Sequence, residues 1–256
     1  MKVNDFVDYV QRLKGGSLNQ DEGVLFGNAQ AEVRGVLCTW MATVDALKTA
    51  VRERCNLVLC HEAFYFPSYG ANFQPQHMSW TVNRNRMRVA TEGDLVVMRV
   101  HGSLDLICVY DDFAAALGLE NPTRGTGWNK VFPIPETTVA DLVERIKRIF
   151  GRRVLRVAGP LEKRVRCVGL PWGGLGLDTN IPYMQRLVDL GADVFIAGEA
   201  DEYGFTFAND VGVPLIETGH ALSENIGIRN FTDRVRNDFP ALKVVFFEKT
   251  VPFEYR

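Results

Sequence analysis

Short apolar runs that stop at polar residues alternate with amphipathic helical patterns along the chain. That alternation restricts the fold more than any other feature. "VRGVLCTW" (33–40), "NLVLCH" (56–61) and "DLVVMRVHGSLD" (94–105) read as strands, the last ending near His101. "TVDALKTAVRER" (43–54) lies between the first two and reads as a helix with Thr43 at its N-cap. A strand, a helix and a strand in succession predict parallel pairing under a helical cover. The second half repeats the pattern. "VADLVERIKRIFG" (139–151) turns Val139, Leu142, Val143, Ile146 and Ile149 inward, and "IPYMQRLVDLGA" (181–192) and "NIGIRNFTDRVRNDF" (225–239) are further helices. "RVLRVAG", "RVRCVGL", "DVFIAGE", "VPLIETGH" and "ALKVVFFEK" are further strands. The polar, Gly/Pro-rich "ENPTRGTGWNK" (120–130) is the best break in the chain. The expected fold is therefore α/β, with two linked α/β units, 1–120 and 121–256, each a mixed sheet flanked by helices.

Local signals add detail. An N-terminal helix is expected with Asn4 as cap, Phe6, Val7, Val10 and Leu13 as its apolar stripe and Gly15 as its stop. "YFPSYGANFQPQHMSW" (65–80) is a long loop of the kind that often covers a site. Arg84, Arg86 and Arg88 read as a solvated helix face.

Charge narrows the functional classes. There are 29 basic and 31 acidic residues, so no basic excess steers nucleic acid. No apolar run approaches the length of a membrane span, and the N-terminal stretch carries Asp5 and Asp8 where a signal peptide would be apolar. Five cysteines without a CxxC pair argue for a reducing compartment. A cytoplasmic protein is expected.

The chain has four histidines, and three stand next to acids at the ends of strand-like runs. His61 precedes Glu62, His101 precedes Asp105 by four residues, and His220 precedes Glu224 by four. His77 sits in the loop with no acid near it. Acids fill 31 of 256 positions, so one such spacing means little, but three at strand ends are harder to obtain by accident. Residues four apart on a helical turn share a face and can reach one ion. Imidazole and carboxylate are ordinary ligands for zinc, iron and manganese. The spacing is equally compatible with three separate histidines, each hydrogen-bonded at its own strand end. Cys60 is either a soft ligand beside His61 or a core residue facing the other way, since side chains alternate along a strand. "GLPWGGLGLDTN" (169–180) is either a phosphate-cradling turn or a tight turn that needs positive φ, and Trp172 within it either lines a pocket or packs.

These residues resemble the Nif-three-like family of dinuclear metal-centre proteins, also called GTP cyclohydrolase I type-two homologues. Members read "DLIVTHHPLIF" where this chain has "NLVLCHEAFYF", and "HTNLD" where it has "HGSLD". They read "GADVYITGD" against "GADVFIAGE", "AGHYATE" against "TGHALSE", and "WDNVGLQVG" against "QDEGVLFGN". The likeness runs in order along nearly the whole chain. It implies a metal site between the two units, with two divalent ions (zinc, iron, manganese or magnesium) on His61, Glu62, Asp105, His220 and Glu224. Four of these match the family in residue type, while Glu62 stands where a second histidine is usual. Tyr203 lies near a position where members often carry histidine, and "WMAT" places Met41 where "LDAT" has aspartate.

The resemblance implies one of two roles. The first is a metal-dependent hydrolase attacking a phosphoester, a nucleotide-like substrate or an amidine-like carbon, with Glu62 as general base if it does not ligate. The second is a metal-binding regulatory or interaction protein without turnover. By the same resemblance the chain would form a homo-oligomer, a hexamer. Substitution of an oxygen ligand at Glu62 would favour harder ions such as manganese or magnesium.

Overall fold

The computed structural model describes residues 1–68, 73–250, 252 and 253. In chain order its elements are α1 (Val3–Lys14), β1 (Gly23–Phe26), β2 (Gly35–Thr39), α2 (Val44–Arg52), β3 (Leu57–Cys60), α3 (Thr81–Glu92), β4 (Val96–Arg99) and α4 (Gly102–Leu104). A π-helical stretch, Asp105–Val109, leads from α4 into α5 (Tyr110–Ala116). Then follow β5 (Arg124–Thr126), β6 (Asn129–Thr138), α6 (Val139–Phe150), β7 (Arg156–Ala158), β8 (Arg164–Gly169) and α7 (Ile181–Asp189). The chain ends with β9 (Val194–Ala197), α8 (Glu202–Asp210), β10 (Leu215–Glu217), α9 (His220–Asp238) and β11 (Lys243–Phe247). Among the described residues, no helix is long and apolar enough to cross a membrane.

Two compact units result, one of residues 1–109 with 227–249 and the other of 110–226 with 250–256. The chain thus returns to its first unit at α9 and β11, which a division at residue 120 does not include. Each unit has a mixed sheet flanked by helices, the α/β class expected from the alternation.

The first unit has the strand order β1-β4-β3-β2-β11. β11, β2, β3 and β4 run parallel, and β1 is antiparallel to β4. Every residue of β2, β3 and β4 is buried, as parallel strands covered on both faces require. α2 begins where Thr43 accepts a hydrogen bond from the Ala46 amide, as the sequence indicates. α1 begins two residues earlier than expected, with Lys2 at the cap position. The Asp5 carboxylate accepts from the Lys2 amide at 2.8 Å, so Asn4 lies inside the helix and does not cap it.

Arg86 corrects the reading of a solvated arginine face on α3. It is buried, and its guanidinium donates to the Phe64 carbonyl at 2.6 Å and lies 3.3 Å from Met41 Sδ. Burial holds its pKa below the usual value. A thioether is a poor partner for a desolvated cation. Met41→Asp should therefore supply a charge-assisted hydrogen bond and raise stability by about 1.5–3 kcal/mol. Thermal unfolding checks this, and an unchanged or lower midpoint would contradict it.

The second unit has the strand order β5-β6-β8-β9-β10-β7. β8, β9 and β10 are parallel, and β5, β6 and β7 are antiparallel to their neighbours. β6 is a ten-residue strand that the apolar patterning did not reveal. Its Pro133 and Pro135 break the alternation, and its register with β8 shifts between Pro133 and Thr137. α6 buries Val139, Leu142, Val143 and Ile146 as expected, but Ile149 is exposed. Trp172 is buried against Tyr110 and Tyr183 with ring centroids 4.6 and 5.9 Å apart, so it packs.

Candidate metal centre

Both mixed sheets place histidines just beyond the carboxyl ends of parallel strands, where sites in α/β sheets gather. In the first unit His61 follows β3 and His101 follows β4; in the second, Glu199 follows β9 and His220 follows β10.

His61 and Glu62 are adjacent, and on a regular strand they would face opposite ways. β3 ends at Cys60, and the amides of His61 and Glu62 donate to the Trp40 carbonyl at 3.1 and 2.7 Å. With the strand ended, one ligand atom each from His61, Glu62 and His101 lies within 4.8 Å of the others. Two buried arginines hold this turn. Arg86 binds the Phe64 carbonyl, and Arg99 Nε donates to the His61 carbonyl at 3.1 Å. Arg99 also contacts Glu62 Oε2 at 3.6 Å and Asp21 Oδ2 at 2.8 Å. Glu62 thus has a guanidinium beside it as well as two imidazoles within reach of a common ion.

The buried His61 ring meets the Val100 carbonyl through Nδ1 at 3.1 Å. A carbonyl can only accept, so Nδ1 carries the proton and Nε2 the lone pair. Nε2 is 3.7 Å from Asp105 Oδ1. Asp105 opens the π-helical stretch, a distortion often found at functional sites. α4, which leads into this stretch, is capped by Glu22, whose Oε1 accepts from the amides of His101 and Ser103 at 2.6 and 2.8 Å.

The second unit holds a matching arrangement. His220 Nδ1 is 2.9 Å from Glu199 Oε2, and Nε2 is 3.4 Å from Glu224 Oε1 one helical turn on. The four-residue spacing does what the sequence implied and places both side chains on one face of α9. The glycine-rich turn is explained here. Gly173 has φ +53°, and a Cβ there would overlap Glu224 Oε1 and lie 3.4 Å from His220 Nε2. Its amide donates to Ser223 Oγ at 3.0 Å, and its carbonyl accepts from the Glu199 amide at 2.7 Å. The turn thus presses backbone against His220 and Glu224, the positive-φ alternative for this stretch.

The donor sets fit a divalent ion. In each unit an imidazole anchored through Nδ1 turns Nε2 toward a carboxylate, the usual preparation of a metal-ligating histidine. Cys60 is no part of this. Its Sγ faces the Met98 carbonyl at 3.6 Å inside the apolar core, and burial pushes its thiol up to about 12. Tyr203 is 68% exposed on α8. His77 lies beside Trp80, and the loop reading over 65–80 falls partly on residues 69–72, outside the described residues.

Asp21, Glu22, Arg99 and Glu199 escaped the sequence reading as participants. Asp21 and Glu22 did lie inside the "QDEGVLFGN" match, and Glu199 ended "GADVFIAGE". Nothing local distinguished Arg99 from any other strand residue.

An α/β chain with histidine–carboxylate clusters at the carboxyl ends of parallel strands in two mixed sheets is of a class able to hold metal. The sequence profile of the Duf34/NIF3 (NGG1p interacting factor 3) family matches residues 1–252, and the chain belongs to that family. A GTP cyclohydrolase 1 type 2 homolog from Chlamydia trachomatis is 23% identical over 265 residues, covering 99% of this chain and 100% of its own. Another from Clostridium perfringens is 21% identical over 272 residues, covering both chains fully. Among solved structures, the Bacillus cereus protein related to NIF3 superposes with a TM-score of 0.81 at 16% identity, covering 100% of this chain and 99% of its own. A NIF3 superfamily protein from Sphaerobacter thermophilus gives 0.63 at 14% identity, covering 98% and 99%. These likenesses show the fold.

Proposed function

We propose that the chain holds two divalent ions on His61, Glu62, Asp105, His220 and Glu224 and uses them to hydrolyse a phosphoester or nucleotide-like substrate. The observation that carries this reading is the repeated pair: His61 Nε2 near Asp105 and His220 Nε2 near Glu224, each ring anchored from behind through Nδ1. Bound ions would supply Lewis acidity and acidify water. Arg99 fixes the carboxylate of Glu62 through a contact at 3.6 Å. Glu62 then either donates an oxygen to an ion or takes a proton from water. Asp105 and Glu224 add negative charge, which concentrates cations at the site.

A cytoplasmic location belongs to the same proposal, since five cysteines without a CxxC pair suit a reducing compartment. A homohexamer is part of the same proposal, and light scattering at micromolar concentration checks it: a monomer would contradict it.

Glu62 variants probe the ligand role. Glu62→His should shift preference toward zinc, since imidazole replaces a hard oxygen donor. Glu62→Ala should lower the occupancy of one ion and spare the other. Metal content after identical loading checks both, and unchanged stoichiometry and preference in the two variants would make Glu62 a bystander. The function itself is tested by a phosphoester panel with and without added metal. Metal-dependent turnover supports hydrolysis, and bound metal without turnover supports the regulatory role.

A further inference from the structure

We propose that His101 is a metal ligand of the first unit, placed by Asp21 as its positioning residue. The proposal deepens the metal-binding reading and rests on it. His101 is absent from the five-residue ligand set, in which its partner four residues on, Asp105, carried the motif.

Three observations converge on it. First, His61, Glu62 and His101 each offer a ligand atom, all within 4.8 Å of one another, and all belong to one unit. Second, the two imidazoles lie edge to face with centroids 5.0 Å apart, and His101 Nε2 is 4.0 Å from Glu62 Oε1. Third, His101 Nδ1 meets Asp21 Oδ2 at 3.1 Å, and Asp21 is itself tied to buried Arg99 at 2.8 Å. A carboxylate behind an imidazole keeps the proton on Nδ1, which leaves Nε2, the nitrogen nearer Glu62, as the atom to ligate.

The four-residue spacing suggested that His101 and Asp105 would face one ion together. In the fold they divide. Asp105 approaches His61 Nε2, and His101 approaches Glu62. The His101 side chain is 37% exposed, so an ion from solution can reach it. Two imidazoles and one carboxylate would supply a donor set of the kind that catalytic zinc takes. This set takes a borderline ion such as zinc or cobalt over magnesium. The hard-ion preference expected from Glu62 alone is thereby reversed at this end of the site.

The competing role for His101 is a structural one, an imidazolium paired with Asp21 and Glu62. The two roles differ in what zinc does to its ring. Protein labelled with ¹⁵N-histidine is titrated with zinc, and ring nitrogens are followed by long-range proton–nitrogen correlation. His101→Gln and His77→Gln assign the signals. The expected result is a saturable shift of His101 Nε2 in step with His61 Nε2, while His77 does not move. Zinc affinity should fall in His101→Gln, and in Asp21→Asn by about 10–100-fold as the ring loses its anchor. Asp21→Asn keeps the side-chain shape and serves where His101→Gln fails to fold. If His61 or His220 shifts with zinc while His101 stays unmoved, this inference falls and the metal reading stands. If no histidine responds to zinc, the metal reading itself falls.

Discussion

Asp105→Ala should lose metal-dependent phosphoester turnover and weaken metal binding by at least about 100-fold, the upper end of what losing a mere outer partner of a ligand costs. Asp105 stands 3.7 Å from His61 Nε2, buried at the start of the π-helical stretch. Its backbone amide donates to the His101 carbonyl, a bond that alanine retains. The fold should therefore survive, and circular dichroism with thermal unfolding would establish that it does. Metal content and turnover are then read on the same preparation. Full activity in a variant that retains its metal would remove Asp105 from the site.

Gly173→Ala should be nearly as damaging, by a route that contact lists of ligands do not show. The left-handed backbone at φ +53° alone costs an alanine about 1–2 kcal/mol. The added methyl also falls on Glu224 Oε1, and Glu224 is buried one turn from His220. Either the carboxylate moves away from His220 Nε2 or the turn lifts, and both spoil the ligand pair. Gly212→Ala is the matched control, because Gly212 has φ +69° with nothing within 4 Å of the added Cβ. Gly212→Ala should lose stability and keep metal affinity, whereas Gly173→Ala should lose both. Isothermal titration with zinc alongside thermal unfolding separates them, and equal zinc affinity in the two variants would contradict the proposed role of the turn.

The fold was legible where apolar runs were uninterrupted. β2, β3 and β4 are buried on both faces, so their sequences are nearly pure apolar runs and stand out. β6 was hidden because two prolines and a register shift break its pattern. α8 was hidden because "EYGFTFAND" has no strong apolar stripe; its boundary is set by Asp201, which accepts from the Gly204 amide. Arg86 looked solvated because a charged residue on a helix usually is; only tertiary packing brings the Phe64 carbonyl to it.

In the candidate site, local spacing marked what is local. His220 and Glu224 are four apart on one helix, and their approach follows from helical geometry alone. Asp21 lies 80 residues from His101, and its contact depends on how β1 pairs with β4. Glu199 and His220 meet only because β9 and β10 are parallel neighbours. No periodicity within a single segment reports such partners.

The most direct measurement is a crystal structure of protein loaded with zinc, with anomalous scattering recorded on both sides of the zinc edge. The proposed function predicts anomalous peaks about 2.0–2.2 Å from His61 Nε2 and from His220 Nε2, each also bound by carboxylate. Fully loaded crystals with no peak at either histidine would contradict it.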